Sequence, residues 1–511
     1  MNGNTFYSAA SSNFLGTELV FQRHGLNPLK TEMLLSWFNE PTMISLCLVE
    51  ASKNSEDGID DFVVLFFTEN AVSRIARVCK SDMGGQRTLQ GKWTSFLKVR
   101  LDCPFGNVGS TSLVQDAFLL QDQKDWRDSI FYATFTINSE SSGACSQSAV
   151  CAYKLSDISR VFSGRFLTES DTGSWDRYTG EEPFPHPGSC INDELRAEGV
   201  MTSLDFSDKT LLFVKNHPLM EGAVTPITGK PLLVRIGTLF SKIVVDQVTS
   251  LDGQLHQVMF IGTESGWLQK AVRFDGEEGR VIEELQVFQT PQPVNFLQLS
   301  SKTGQLYGGA NGVAVQVNVR DCSRYTSCDD CLLARDPYCG WDMISGQCVS
   351  VVGAFLKSII QSLTDGDLQK CPISDLETVK GKVHRKTVVQ YFVQVQDPST
   401  LVRTLKAAVI VLSCLLILLI CSVLVIRRIQ AKKQNHIGCG NENKNNNHMI
   451  VSPFFHYDPT PDRLCDQEEE QSVETRCVKA ILILPEVTLV NLEVEVEADT
   501  VNGCTVIEIS G

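Results

Sequence analysis

Hydrophobic residues recur along residues 1–320 in short runs that turn-forming residues separate. The runs richest in β-branched and aromatic residues are 61–67, 129–135, 232–236, 258–262 and 313–317. No long stretch with apolar residues at helical spacing lies between them, which disfavours a parallel α/β sheet. The pattern predicts an all-β fold of many short antiparallel strands, built as a pair of sandwiches or as a propeller.

The end of this region repeats one order of strand, glycine-containing turn and strand. Residues 256–263 and 265–272 flank one such turn, and 305–310 and 313–317 flank Asn311-Gly312. Asn-Gly between two strand-like runs is a strong hairpin signal. The repeat therefore predicts propeller-like blades in residues 251–320.

One segment has the length and composition of a membrane span. Residues 407–426 are uncharged and almost all apolar, and a helix of about 20 residues crosses the hydrocarbon core. Four basic residues follow within 427–433, whereas Lys406 stands alone before the segment. The positive-inside rule then predicts a single-pass type I protein of the plasma membrane with residues 1–406 outside the cell. A buried core helix is the less favoured alternative at this length.

The first residues carry no export signal. Residues 1–7 lack a basic start, an apolar stretch and a cleavage site, so we expect the chain to be incomplete at its N-terminus. After the span, the Asn- and Lys-rich stretch 441–447 predicts a mostly disordered cytosolic tail, although the second half of 480–497 alternates like a strand.

Composition narrows the classes of function. A net charge of −15 and a pI near 5.1 argue against nucleic acid as a partner. Twelve of the eighteen cysteines precede residue 400, which suits an oxidising compartment. We find no catalytic constellation and expect neither an enzyme nor a cofactor or metal, because no nucleophile–base pair or metal-ligand spacing stands out and His217 beside a proline reads as structural.

Five cysteines fall within residues 322–348 in the spacing C-x5-C-x2-C-x7-C-x8-C, and Cys371 is a candidate sixth. A segment this short cannot bury enough apolar area to fold unaided, so it needs covalent cross-links. The alternative is zinc, which Cys328-x-x-Cys331 alone would allow, but a second pair at matching spacing and nearby histidines are both missing. We therefore favour disulfides.

These motifs resemble those of a known family. The cysteine-rich segment resembles the plexin–semaphorin–integrin (PSI) knot, and the run Ala-Arg-Asp-Pro-Tyr-Cys at 334–339 is similar to a semaphorin signature. The stretches that resemble the sema domain, a seven-bladed propeller, are 74–85, 92–103, 148–153, 185–190 and 213–220. The chain looks most like a transmembrane semaphorin of class 4. Plexins share the propeller-plus-knot order, but the 334–339 run and the region from Cys79 to Cys103 favour a semaphorin.

The resemblance implies a division into five parts. They are an incomplete sema domain at 1–320 that lacks its first blades, a PSI domain at 321–371, an extracellular stalk at 372–406, the transmembrane helix at 407–426 and the cytoplasmic tail at 427–511. Class 4 semaphorins carry an immunoglobulin-like domain after the knot, and the stalk is too short for one. Family members also have a longer stretch between Glu69 and Val72, at the receptor-facing edge.

The resemblance also implies the cysteine pairing. The implied disulfides are Cys79–Cys190 and Cys103–Cys151 in the sema domain, and Cys322–Cys339, Cys331–Cys348 and Cys328–Cys371 in the knot. Cys47 and Cys145 are left over. Cys47 lies in an apolar run, and we expect it to be a buried free thiol, whereas Cys145 stays unassigned.

By resemblance, the chain is a ligand rather than an enzyme. It would bind a plexin receptor on an opposing cell, act as a homodimer through the sema domain, and guide axons and cell migration. Lys215 would lie on the plexin-facing side, although an exposed lysine that serves solubility is an equal alternative. Two other functions stay open, namely a cell-surface receptor that signals inward through its tail and a truncated isoform that binds nothing.

Overall fold

A computed structural model of the chain describes residues 5–11, 18–54, 56–106, 111–137, 146–170, 173–274, 278–353, 358–364, 366–371, 387–388 and 504–505. The predicted span 407–426, Cys145, and all of the predicted stalk and tail except 387–388 and 504–505 lie outside these residues. Within the part that is described, no helix is both long and apolar enough to cross a membrane.

Strands are the predominant secondary structure of the described residues, as the pattern of short apolar runs predicts. In chain order they are β1 (Phe6–Ser11), β2 (Leu19–His24), β3 (Leu29–Lys30), β4 (Thr42–Val49), β5 (Phe62–Glu69), β6 (Val72–Cys79), β7 (Leu97–Leu101), β8 (Leu113–Leu120), β9 (Ile130–Ile137), β10 (Gln147–Lys154), β11 (Leu167–Glu169), β12 (Trp175–Arg177), β13 (Leu219–Val224), β14 (Leu233–Ile236), β15 (Phe240–Thr249), β16 (Leu255–Thr263), β17 (Trp267–Val272), β18 (Arg280–Gln286), β19 (Phe296–Ser300), β20 (Gln305–Ala310), β21 (Val313–Asn318), β22 (Cys339–Asp342), β23 (Gln347–Ser350), β24 (Ile359–Ile360), β25 (Thr387–Val388) and β26 (Cys504–Thr505).

Helices are short. They are α1 (Leu155–Phe162), α2 (Asp193–Ala197), α3 (Asp208–Asn216) and α4 (Cys328–Ala334), with single 3₁₀ turns at Ala51–Asn54, Trp126–Asp128, Ser203–Asp205 and Leu368–Lys370.

Five sheets, each with three or more consecutive antiparallel strands, follow one another along the described part of residues 1–320. Their strands, in sequence order, are β1–β3, β4–β7, β8–β10, β15–β18 and β19–β21. Four of the sheet edges are extended by strands from elsewhere in the chain: β13 pairs with β7, β14 with β10, β25 with β18 and β26 with β4. Each sheet is thus a meander of neighbouring strands, the arrangement that the strand–turn–strand pattern predicts.

The hydrophobic cores lie between successive sheets. On β5, Phe62, Val64 and Phe66 belong to one core, and the alternate residues Val63, Leu65 and Phe67 belong to another. Side chains alternate across a strand, so a strand buried on both faces reads as a continuous apolar run instead of an apolar–polar alternation. This is why the 61–67 run is apolar almost throughout, and it shows that the sheets stack face to face.

A helical insertion follows the third sheet and departs from the all-β prediction. Residues 155–232, between β10 and β14, contain α1, α2, α3, the β11–β12 hairpin and β13. The Ser207 side chain begins α3 by accepting a hydrogen bond from the Thr210 amide at 3.1 Å, and Leu211 and Val214 are buried beneath the helix. A helix of nine residues is too short for its apolar spacing to stand out in the sequence.

The cysteine-rich knot, residues 322–371, docks on the fourth sheet through buried polar contacts. Lys270 Nζ on β17 lies 2.5 Å from Asp336 Oδ2 and donates to Val319 O at 3.1 Å. The Tyr338 hydroxyl donates to the carboxylate of Asp246 on β15. These contacts hold the knot against one defined side of the sheet.

Candidate interaction surface

The candidate site is a surface. Among the residues that the structure describes, no group of three or more His, Cys, Asp or Glu side chains could hold a metal ion. The acidic cluster at 56–61 is instead engaged in hydrogen bonds and ion pairs: Asp61 pairs with Lys80 at 2.9 Å and Asp57 pairs with Arg127. The candidate contact residue Lys215 lies on α3.

α3 presents one stripe of residues to solvent. Lys209 and Leu212 are exposed and Lys215 is half-buried on one side of the helix, while Leu211 and Val214 are buried on the other. Positions three apart are neighbours on a helix surface, so Leu212 lies beside Lys209 on one side and Lys215 on the other. Among the described residues, Lys215 Nζ forms no ion pair, which leaves an uncompensated positive charge beside Leu212.

Two loops contact the insertion around α3. The Trp37 indole donates to Lys215 O at 2.9 Å, which places the turn at 33–38 against the end of the helix. The Met83 amide donates to Ser203 Oγ at 2.8 Å, and Thr88 Oγ1 donates to Asp208 Oδ1 at 3.1 Å. Residues 33–38 and 82–92 therefore both contact the segment 200–216.

Each of these segments exposes apolar side chains, which together with Lys215 we call the apolar face. Its members are Met33, Leu34, Leu35, Met83, Met201, Leu212 and Lys215. Leu35 is 73% exposed and Met201 is 60% exposed. Exposed apolar residues on touching segments are typical of interaction sites.

An aromatic cluster packs at the C-terminal end of α3. The His217 ring stacks on Phe213 with centroids 4.3 Å apart and meets Tyr178 edge-on at 4.8 Å. Its Nδ1 lies 3.0 Å from Phe213 O, within hydrogen-bond distance of the last turn of the helix. Burial lowers the pKa of His217, although the bond to the Phe213 backbone opposes that shift. These contacts fit the structural role that the sequence suggests.

A buried ion pair anchors the segment after α3. Lys98 Nζ on β7 lies 2.6 Å from Glu69 Oε1, and Arg74 Nε lies 3.0 Å from the same oxygen. The Lys98 amide donates to Pro218 O at 2.8 Å, which begins the parallel pairing of β13 with β7. Burial, only partly offset by Glu69, lowers the pKa of Lys98 to about 8. The end of α3 thus rests on the second sheet.

Five disulfides join the same cysteines that the resemblance implies. Cys79–Cys190 ties the second sheet to the insertion, and Cys103–Cys151 ties the second sheet to the third. The knot holds Cys322–Cys339, Cys328–Cys371 and Cys331–Cys348. Their Cα–Cα distances of 5.4 to 6.0 Å are ordinary for disulfides.

Cys47 departs from the expectation. It is fully buried, as its apolar surroundings predict, but it is disulfide-bonded, so the prediction of a free thiol is wrong. In the antiparallel register of β4 and β26, Cys504 stands opposite Cys47, a position that disagrees with the cytosolic one that the sequence predicts for residues 427–511. Local sequence around Cys47 gives no sign that a second cysteine lies opposite it.

Comparison with known proteins agrees with this architecture. The Sema domain family matches residues 114–301, and the Plexin repeat family, also called PSI, matches residues 321–372. The solved structure of Drosophila Semaphorin 1a, extracellular domains 1-2, is 30% identical with a TM-score of 0.60, over 72% of this chain and 74% of that one.

The chain belongs to the semaphorin family.

Its curated semaphorin relatives include members named for class 4. Semaphorin-4D of Mus musculus is 42% identical over 392 residues, and Semaphorin-4C of Mus musculus is 42% identical over 381 residues. These alignments cover 73% and 70% of this chain but 45% and 44% of the relatives, so the chain spans less than half of their length. A chain in the solved complex of Drosophila Plexin A with Semaphorin 1b matches with a TM-score of 0.58 and 29% identity, over 71% of this semaphorin and 72% of that chain.

Sequence reasoning singled out Lys215 in this semaphorin but missed the apolar residues around it. Met33, Leu34 and Leu35 are three consecutive apolar residues in a turn. This triplet is the local sequence signal that could have indicated an exposed apolar surface. Met83 and Met201 are isolated in sequence, and only the contacts of their loops bring them near α3.

Proposed function

We propose that this semaphorin is a membrane-bound ligand that binds a plexin receptor on an opposing cell through the apolar face. Axon guidance and cell migration would be the downstream outcomes, and no enzymatic step is involved. Membership of the semaphorin family carries the proposal, and the solved complex of Drosophila Plexin A with Semaphorin 1b shows that a related semaphorin binds a plexin.

The chemistry of the apolar face supports this assignment. Hot spots in protein interfaces combine apolar anchors with a few charged residues that become desolvated on binding. Leu212 is 52% exposed and lies one helical turn from Lys215, which has no carboxylate partner among the described residues. A partner surface with a carboxylate surrounded by apolar groups would pair with Lys215 and cover Leu212.

Anchoring and assembly complete the proposal. The stretch 407–426 would hold the chain in the plasma membrane as a type I protein, with the sema and PSI domains outside. A homodimer through the sema domain would bring two plexins together. Oxidative folding outside the cytosol is consistent with the five disulfides within the sema and PSI domains whose two cysteines are both described above.

Charge reversal at Lys215 tests the proposal. Cells that display the full chain should capture soluble plexin ectodomain, and Lys215→Glu should reduce the affinity at least tenfold, because it would set a carboxylate against the acidic partner group. Lys230→Glu is the matched control, since Lys230 is a surface lysine on another segment, 3.4 Å from Glu278. It should leave capture unchanged.

Two outcomes would contradict the proposal. Equal capture by the wild type and Lys215→Glu would remove the apolar face as the binding surface. Absence of capture by a surface-displayed wild-type chain would favour the non-binding isoform instead.

A further inference from the structure

Three exposed methionines lie on the apolar face. The described residues contain seven methionines, of which Met43, Met220 and Met259 are buried. Met33 is 45% exposed, Met83 39% and Met201 60%. Met343, on a turn of the knot, is the fourth exposed methionine in the described chain at 45%. Exposed thioethers are therefore concentrated where the proposed partner docks.

The backbone holds two of these methionines close to one another. The Ser203 hydroxyl donates to Gly84 O at 3.0 Å while it accepts from the Met83 amide, so it joins the two loops. The Met201 amide donates to Asp205 Oδ2 at 3.0 Å. Because these bonds use backbone groups, the two side chains are free to project outward from an ordered base.

We propose that Met33, Met83 and Met201 form a redox-sensitive modification site that controls partner binding. The proposal rests on the proposed function, since it concerns the same face. Hydrogen peroxide transfers one oxygen atom to the thioether sulfur, so that an S–O bond forms as the O–O bond breaks. The sulfur is oxidised to the sulfoxide and the peroxide is reduced to water.

Oxidation changes what the face offers to a partner. A thioether is apolar and adapts to irregular surfaces, whereas a sulfoxide is polar and loses hydration when it is buried without a donor. At an interface built for apolar contact, this lowers the affinity. The oxidised apolar face thus binds its partner more weakly, while the disulfide-linked fold beneath it stays intact.

The test compares treated and untreated cells that display the full chain. Cells are exposed to hydrogen peroxide, quenched with catalase and then incubated with soluble plexin ectodomain, and peptide mapping by mass spectrometry reports oxidation at each methionine. Wild-type affinity should fall about tenfold once Met83 and Met201 are oxidised. The Met33→Leu/Met83→Leu/Met201→Leu variant, compared with its own untreated sample, should change less than twofold.

Met343→Leu is the matched control, because it removes an equally exposed thioether away from the face. It should lose affinity on treatment as the wild type does. Sulfoxide at Met83 and Met201 without loss of capture, or an equal loss in the triple variant, would overturn the inference. No capture by untreated cells would overturn the proposed function, and the switch with it, so the two failures are distinguishable.

Discussion

The imidazole of His217 has two kinds of contact. Its Nδ1 lies within hydrogen-bond distance of Phe213 O at the end of α3, and its ring packs against the aromatic rings of Phe213 and Tyr178. Burial lowers its pKa below the usual 6.5, so the folded state binds a proton less readily than the unfolded chain. The stability that neutral His217 contributes is therefore present above the unfolded pKa and is lost as the pH falls through the folded pKa. Acidification should loosen the segment that carries Lys215.

We therefore expect thermal stability to depend on pH through this residue. Between pH 7.5 and 5.5 the unfolding temperature of the wild type should fall further than that of His217→Gln, which has no ring to protonate. Differential scanning calorimetry of both proteins measures the difference. A matched His24→Gln variant, in the first sheet, corrects for histidines elsewhere, and an equal fall in all three proteins would contradict the prediction.

At the scale of the element, the β5–β6 hairpin contains an unusual turn. Asn70 and Ala71 have φ of +50° and +58°, which are the two left-handed positions of a type I′ turn. Asparagine tolerates this conformation, but an alanine Cβ clashes with the backbone and costs about 1 kcal/mol or more. Both residues are exposed, so no tertiary packing opposes relief of this strain.

Ala71→Gly should therefore stabilise the chain by about 1 kcal/mol, less the entropy that glycine adds to the unfolded state. Denaturant unfolding should show a higher midpoint at an unchanged slope. Ala314→Gly is the matched control, an exposed alanine within β21, and it should lose about 0.5–1 kcal/mol. A loss of stability in both variants would show that the turn is not strained.

The elements also show where sequence reasoning succeeds and where it stops. The β20–β21 hairpin could be predicted because Asn311-Gly312 is a strong turn signal between two strand-like runs. β5 could be predicted because six consecutive residues, 62–67, are apolar. α3 could not, since nine residues give too little periodicity. Neither could the exposed face around Lys215, because contacts between residues far apart in the chain create it. For the same reason the bonding of Cys47 escaped prediction.

At the scale of the whole molecule, the buried pair Lys270–Asp336 connects the sheets to the knot. The two side chains are 3% and 1% exposed, and Tyr325 donates a further hydrogen bond to Asp336 at 3.1 Å. Removal of one partner from a buried pair leaves an uncompensated charge, which costs about 3–5 kcal/mol. The knot and the fourth sheet should therefore unfold together.

Lys270→Met should destabilise the chain by about 3–5 kcal/mol in denaturant unfolding. Addition of Asp336→Asn should recover part of this loss, because the stranded charge disappears. The exposed pair Lys230–Glu278 supplies the control, and Lys230→Met should change stability by less than about 0.5 kcal/mol. A small effect of Lys270→Met would contradict the role of this pair in holding the knot to the fourth sheet.

The parallel pairing of β13 with β7 has a consequence for how the chain is made. On the ribosome, the second sheet emerges long before the strand that covers its outer edge, and 111 residues separate Cys79 from Cys190. Until the insertion is synthesised, β7 presents an unpaired edge on which other chains could assemble. Contacts between residues that are far apart in the chain form slowly during folding. Production of this protein should therefore depend more on chaperones and on the timing of thiol oxidation than its final stability would suggest.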